Sequence, residues 1–181
     1  FSVAVGSSSL LFAILYPYAK RWTYWPQVFL GITLNYGVLI SWAHLLPNSF
    51  LQVTPLFLAT VLHTIIYDSI YSHQDKKDDI IAGVKSTALL WGDQTKYWLT
   101  GFASLAIGLL YTTGIIMHQT WPYYLGLAGT AAHFSWQIGT LKMNLPSDCW
   151  SKFKSNQWMG VILFLGIVLG NLLKKEETAD G

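Results

Sequence analysis

Asp68, Asp75 and Asp79 are the residues whose type and spacing most directly suggest chemistry, separated as they are by seven and four positions. At ~100° per residue a helix would hold all three within about 40° of one another. A helix continuing through this stretch would carry one narrow acidic stripe, flanked by Tyr71 and Ser72. Carboxylates on one helix face repel unless a cation neutralises them. A hard divalent ion such as Mg2+ suits them: it takes oxygen ligands, usually one or two carboxylates, with phosphate oxygens completing the shell. Asp68 lies near the inner edge of an apolar run, where an ionisable side chain is costly and marks function. The plainer alternative is a solvated charge run, since Lys76, Lys77 and Asp78 are interspersed.

A second cluster is Tyr16-Pro17-Tyr18-Ala19-Lys20-Arg21. Tyr16 and Lys20 are four apart and share a helix face. Arg21 is the only arginine in the chain. Its guanidinium suits bidentate contact with carboxylate or phosphate. Anchoring of a helix end at a membrane border would explain the same two cations. If both clusters lie on one side, anion-binding cations face metal-binding carboxylates, and a diphosphate site follows.

The elements that must position these residues are membrane helices. The chain has 181 residues, 52% hydrophobic and 11% charged, where soluble domains carry about 25% charged. Its mean hydropathy is +0.38. A soluble domain of this size leaves roughly 30% of its surface exposed, which excludes an aqueous globule of this composition. Nine Trp and ten Tyr suit the membrane interface. A net charge of +2 by itself decides nothing; no nucleic acid is expected as a partner. The single Cys149 excludes an internal disulfide.

A spanning helix needs about 20 mostly apolar residues. Six stretches qualify or nearly qualify: Phe1–Tyr18, Pro26–Leu46, Phe50–Tyr71, Tyr97–Met117, Trp121–Leu141 and Gln157–Leu173. Short turns alternate with two long polar stretches, Ser72–Lys96 and Lys142–Asn156, and Lys174–Gly181 reads as a soluble tail without structure. Threading the spans alternately puts Lys20, Arg21, Lys76, Lys77, Lys85, Lys96, Lys142, Lys152 and Lys154 on one side, against Lys174 and Lys175 on the other. That asymmetry assigns the first side to the cytoplasm or the mitochondrial matrix. Both long polar stretches fall on that same side. The chain opens on Phe1 with no basic segment before its apolar run, which argues against a signal peptide and predicts a piece of a longer chain.

Gly83-Val84-Lys85-Ser86-Thr87 ends like a phosphate-binding P-loop, but the full glycine pattern is absent and the segment follows a membrane helix. His44, His63, His118 and His133 are scattered in or near spans and read as hydrogen-bonded packing groups rather than ligands.

Tyr16 through Gln27 resembles the Y-x-x-x-K-R-x-T-x-x-P-Q stretch of UbiA-type prenyltransferases. Tyr67-Asp68-x-x-Tyr71-x-x-Gln74-Asp75-Lys76-x-Asp78-Asp79, followed by Gly83-Val84-Lys85-Ser86-Thr87-Ala88, resembles that family's second aspartate-rich motif and its continuation. Leu30-Gly31, Gly37 to Trp42 and Asn156 are compatible, and the wording is nearest the 4-hydroxybenzoate branch. The resemblance implies an all-α polytopic transmembrane helix bundle of about nine spans, of which about six lie here, in residues 1–173. It implies Mg2+-dependent transfer of a polyprenyl group from polyprenyl diphosphate to the ring of 4-hydroxybenzoate, in ubiquinone biosynthesis. Asp75 and Asp79 would hold the metal, and Asp68 would contribute to metal or substrate binding. Lys20 would contact the diphosphate, Arg21 would hold the diphosphate or the benzoate carboxylate, Tyr16 and Tyr71 would line the pocket, and Lys85 would bind substrate. The expected location is the mitochondrial inner membrane with the site facing the matrix, or a bacterial inner membrane, in the bilayer and with other ubiquinone-biosynthesis proteins as potential partners. Haem, homogentisate or naphthoate acceptors, a membrane transporter and an assembly subunit are the competing readings.

The family's first motif, N-D-x-x-D-x-x-x-D, does not occur in these 181 residues. Purified alone and supplied with magnesium, prenyl diphosphate and 4-hydroxybenzoate, they are expected to form no prenylated product. Product detected by chromatography would overturn that expectation.

Overall fold

The computed structural model of the protein describes residues 1–179, with side chains through Lys174. Among them there is no strand. The helices are α1 (Ser2–Trp22), α2 (Pro26–Leu45), α3 (Thr54–Ser72), α4 (Lys76–Ala82), α5 (Thr87–Trp91), α6 (Thr95–Ile116), α7 (Trp121–Thr140) and α8 (Pro146–Ala179), with a 3-10 segment at Pro47–Val53 and another at Gly92–Gln94. Proline in the first turn starts α2, α3 and α7, where its missing N–H costs nothing and its φ is already helical.

Five stretches are long and apolar enough to cross a membrane: Ser2–Trp22, Pro26–Leu45, Pro47–Ser72, Thr87–Ile116 and Pro146–Lys174. The sequence predicts six. The sixth, α7, has 20 residues without a charge, and Thr130, His133, Ser135 and Gln137 lower its apolarity. It runs antiparallel between α6 and α8 and is tied at both ends. Lys96 Nζ, at the start of α6, donates to Gly139 O at the end of α7 (3.2 Å), and Thr120 Oγ1, before α7, donates to Gly170 O of α8 (2.8 Å). It therefore crosses whatever its neighbours cross.

In lipid, helices associate through close packing rather than by escaping water. Helix α3 is central, packed against α2, α6 and α8, while α7 lies between α6 and α8, and α1 packs along α2. Val61, Ile65, Ile66 and Ile70 of α3 meet Leu99, Ala103 and Ala106 of α6 and Phe134 of α7 in the core. At the α7–α8 crossing a Cβ on Gly126 would stand 3.2 Å from Gly166 Cα, so glycine is what lets the two backbones meet. Two polar pairs join helices inside the bundle: His63 Nε2 with Asn156 Oδ1 at 3.1 Å, His133 Nε2 with Ser155 Oγ at 3.0 Å. These two histidines are packing groups, as their sequence context suggests.

Both polar stretches on the lysine-rich side, read from the sequence as connections between spans, contain helix. Ser72–Lys96 contains α4 and α5, and most of Lys142–Asn156 is the start of α8. A helix satisfies its own backbone in water or lipid, so loss of apolarity ends a span without ending a helix. For the same reason α8 runs past Lys174 to Ala179, where an unstructured tail is predicted. Asp180 and Gly181 lie outside the described residues.

A second correction concerns the acidic stripe. No helix continues from Asp68 to Asp79: α3 stops at Ser72 and α4 begins at Lys76. His73, Gln74 and Asp75 form the turn. Thr95 Oγ1 donates to Gly92 O (2.7 Å), so His73 Nε2 carries the hydrogen that Thr95 Oγ1 accepts (3.1 Å). That bond ties the turn to the start of α6. Burial, and secondarily Lys76, lowers the His73 pKa to about 4, which keeps the ring neutral at physiological pH.

Helix α4 ends on Gly83 at φ +65. Gly83 N–H donates to Ile80 O (3.2 Å) and Val84 N–H to Asp79 O (3.0 Å), the paired bonds of a Schellman turn. Side chains at this φ cost about 1–2 kcal/mol. Gly83→Val is therefore expected to lower the thermal midpoint in detergent, and Gly83→Asn to lower it less. Equal midpoints for wild type and Gly83→Val would refute the assignment.

Candidate active site

Lys20 lies in the last turn of α1, where a cation complements the helix dipole. Its Nζ donates to Asp79 Oδ1 of α4 at 3.2 Å, the Asp79 side chain being 6% exposed and the lysine 40%. Backbone bonds hold the two elements in this register. Lys85 N–H donates to Lys20 O (2.8 Å), and Lys85 Nζ to Trp22 O (3.3 Å), with the ammonium 5.3 Å from the Tyr24 ring. Lys85 thus clamps the end of α1.

The other carboxylates gather on the same lysine. Asp68, at the end of α3, is close enough to Lys20, Gln27 and Asp75 to feel each of them. Asp75 is raised above the ordinary carboxylate range, first by burial, against the opposing pull of Lys20 and with the added repulsion of Asp79 and Asp78. Tyr16 is within electrostatic reach of Asp68, Lys20 and Tyr67. Arg21, about 100° further round α1, is exposed. Tyr71 lies with Trp150 and Phe153 on the α8 side of α3, its ring 6.0 and 5.1 Å from theirs. The predicted residues therefore divide. Lys20, Asp68, Asp75, Asp79 and Tyr16 converge, Arg21 borders them, and Tyr71 and Lys85 have other immediate partners.

Gln27 belongs to the site although no charge or spacing rule singles it out. It is 1% exposed, faces Asp68 and leaves Oε1 without a partner. Its only sequence signal is its place beside Pro26 in the motif that begins at Tyr16. Asp79 Oδ2 and Gln74 Nε2 are likewise buried and unpartnered. Orphaned buried polar atoms are rare in native proteins, and three of them lie on residues in or beside this cluster.

Among the described residues, no three acidic, histidine or cysteine side chains close on one point as a prebuilt metal cage. A magnesium site does not require one, because the ion keeps few protein ligands and shares the rest with phosphate. The donor set here fits that pattern: all-oxygen carboxylates, one with an unpartnered buried oxygen, and a surplus of negative charge over Lys20.

The sequence profile described as the UbiA prenyltransferase family matches residues 1–168. The chain belongs to that family. It is 50% identical over 179 residues to a protein of Bos taurus named 4-hydroxybenzoate polyprenyltransferase, mitochondrial, covering 98% of this chain and 48% of that one. The Caenorhabditis elegans protein of the same name is 51% identical over 177 residues, 97% of this chain and 49% of that one. The chain thus spans about half the length of the curated relatives it matches. Among solved structures, a digeranylgeranylglyceryl phosphate synthase aligns with TM-score 0.76 at 20% identity, over 93% of this chain and 61% of that one. An apo UbiA homolog from Aeropyrum pernix K1 aligns with TM-score 0.76 at 22% identity, over 92% and 62%. The UbiA fold is thereby established for this chain.

Removing Lys20 would leave the buried Asp79 carboxylate uncompensated. Lys20→Met is expected to cost about 2 kcal/mol of stability. Much of that loss should be recovered in the double variant with Asp79→Asn, because coupled groups are not additive. Thermal unfolding in detergent reads the cycle, and strictly additive losses would show that the pair is not coupled.

Proposed function

We propose that this chain carries one carboxylate–cation site of an enzyme that transfers a polyprenyl group from polyprenyl diphosphate to the ring of 4-hydroxybenzoate. The observation that carries the proposal is the Lys20–Asp79 pair with Asp79 Oδ2 left free, Asp68 and Asp75 beside it, at a membrane face. The names of relatives sharing half of its residues support the acceptor and the donor class. Their mitochondrial designation, with the lysine bias, supports an inner mitochondrial membrane location with the site toward the matrix.

Asp75, Asp79 and Asp68 would hold Mg2+. When bound, the ion supplies Lewis-acid neutralisation of charge on the leaving diphosphate. Lys20, freed from part of its bond to Asp79, donates to diphosphate oxygens, and Arg21 offers its fork at the exposed edge to diphosphate or to the acceptor carboxylate. Both cations stand where negative charge grows as the allylic C–O bond breaks, which stabilises the transition state. Tyr16 and Gln27 orient Asp68. The acceptor carbon ortho to the phenol hydroxyl then gives its electron pair to the allylic carbon, and its proton leaves to a base.

In the full-length protein, Asp75→Ala is expected to reduce turnover at least a hundredfold with unchanged protein in the membrane. Omission of divalent cations should have the same effect. Near-normal product from Asp75→Ala would remove that residue from the site. Preference for homogentisate or a naphthoate over 4-hydroxybenzoate would reassign the acceptor.

A further inference from the structure

Asp75 sits on a turn, and that turn is held from outside the acidic cluster. His73, Gln74 and Asp75 join α3 to α4, and the main-chain bonds that shape the turn are local. His73 N–H donates to Ile70 O (3.3 Å) and Gln74 N–H to Tyr71 O (2.9 Å). Such bonds set the curvature of the turn without fixing where it stands. Asp75 also starts α4, since its carbonyl accepts from Asp79 N–H (2.8 Å). A shift of the turn therefore moves two carboxylates together.

Among the described residues, His73 is the one turn residue whose side chain hydrogen-bonds another element, through Nε2 to Thr95 Oγ1 (3.1 Å). Thr95 is itself fixed. It is fully buried, opens α6 and spends its hydroxyl hydrogen on Gly92 O, so its bond with His73 has a single direction. One helical turn earlier, on the same face of α3, Ser69 Oγ accepts from Thr87 Oγ1 of α5 at 2.8 Å. The end of α3 is thus latched to the α5–α6 corner by two polar contacts. Asp68, next to Ser69, is turned about 100° away from the latch. Ser69, Thr87 and Thr95 are all fully buried, so neighbours on the outer faces of the bundle do not alter them. Apolar packing would hold the helix end, but a hydrogen bond fixes both distance and direction, and groups that lie behind a metal's ligands orient those ligands.

We infer that His73 and Thr95 are positioning residues for the metal: through their bond the α5–α6 corner sets the place of Asp75, and with it the start of α4, relative to Asp68 and Lys20. The inference rests on the reading of Asp75 as a magnesium ligand. Neither His73 nor Thr95 touches the ion or the substrate in this account. They act through the turn, by holding one carboxylate where a second can share its cation.

The test is binding of Mn2+, a paramagnetic stand-in for Mg2+, to the full-length protein in nanodiscs with inorganic diphosphate, read by electron paramagnetic resonance. Asp75→Ala defines the component of binding that belongs to this site. Thr95→Val, which exchanges the hydroxyl for a methyl group, and His73→Asn, whose amide is too short to reach Thr95, are each expected to weaken that component about tenfold, the scale of losing a group that orients a metal ligand. Thr95→Ser keeps the acceptor and His73→Gln keeps the donor, and both should restore the affinity. Ser155→Ala removes a bond of the same kind between α7 and α8 and should leave the affinity unchanged, whatever it does to the thermal midpoint. Wild-type affinity in Thr95→Val overturns the inference. So does a Thr95→Ser affinity no better than that of Thr95→Val, or an equal loss in Ser155→Ala. Thr95→Val reads the same bond from α6 should His73→Asn fail to accumulate. Mn2+ binding that Asp75→Ala leaves intact sinks the metal-site reading itself, a result distinct from Asp75-dependent binding that Thr95→Val does not weaken.

Discussion

The pairing of Lys20 with the buried Asp79 is the contact on which the site depends. It is the only ion pair among the described residues, and it joins the end of α1 to the short helix α4. Along its length α1 packs on α2. What fixes its end against α4 is this pair together with the main-chain bond from Lys85 to Lys20. A carboxylate almost withdrawn from water needs a compensating charge, so Asp79 holds Lys20 in place. The same lysine acts electrostatically on Asp68 and Asp75. One cation against three carboxylates leaves the cluster short of positive charge.

The bundle assigns distinct roles to its two ends. At the end of α1, α3 and α7, and at the start of α6 and α8, lie nearly all the lysines, the acidic cluster and the short helices α4 and α5. The opposite end is closed by brief turns and by contacts such as Gln119 with Asn171 (3.2 Å). Chemistry at one face suits a substrate with a charged head and an apolar tail, because the head can stay at the polar surface while the tail runs down between helices. The start of α8 serves that face directly. Its first turns are polar enough to stand outside the hydrocarbon, yet they bring Trp150 and Phe153 onto Tyr67 and Tyr71.

Interior polar residues are used differently. His63 with Asn156 and His133 with Ser155 tie α3 and α7 to α8, and each bond satisfies groups that lipid could not. The small residues at the α7–α8 crossing make that proximity available. Near the site the accounting is left open, with Gln27 Oε1, Gln74 Nε2 and Asp79 Oδ2 unpartnered.

Much of this was legible in the residues alone. Apolar length located the spans, and the cation asymmetry separated the two faces, because bilayer thickness and membrane polarity act on local sequence. Motif wording already associates Lys20 with the aspartates. The continuous acidic stripe was not a correct guide. Periodicity assumes an unbroken helix, and the turn at His73–Asp75 is fixed by a bond to Thr95, twenty-two positions away. The helical character of the polar stretches was equally hidden, since hydrogen bonding within a helix is indifferent to the polarity that delimits a span. Which carboxylate meets Lys20, why Gln27 matters and how α8 meets Tyr67 and Tyr71 were decided only by the tertiary structure. Those contacts join residues distant in the chain, and no local pattern encodes the packing of one helix against another.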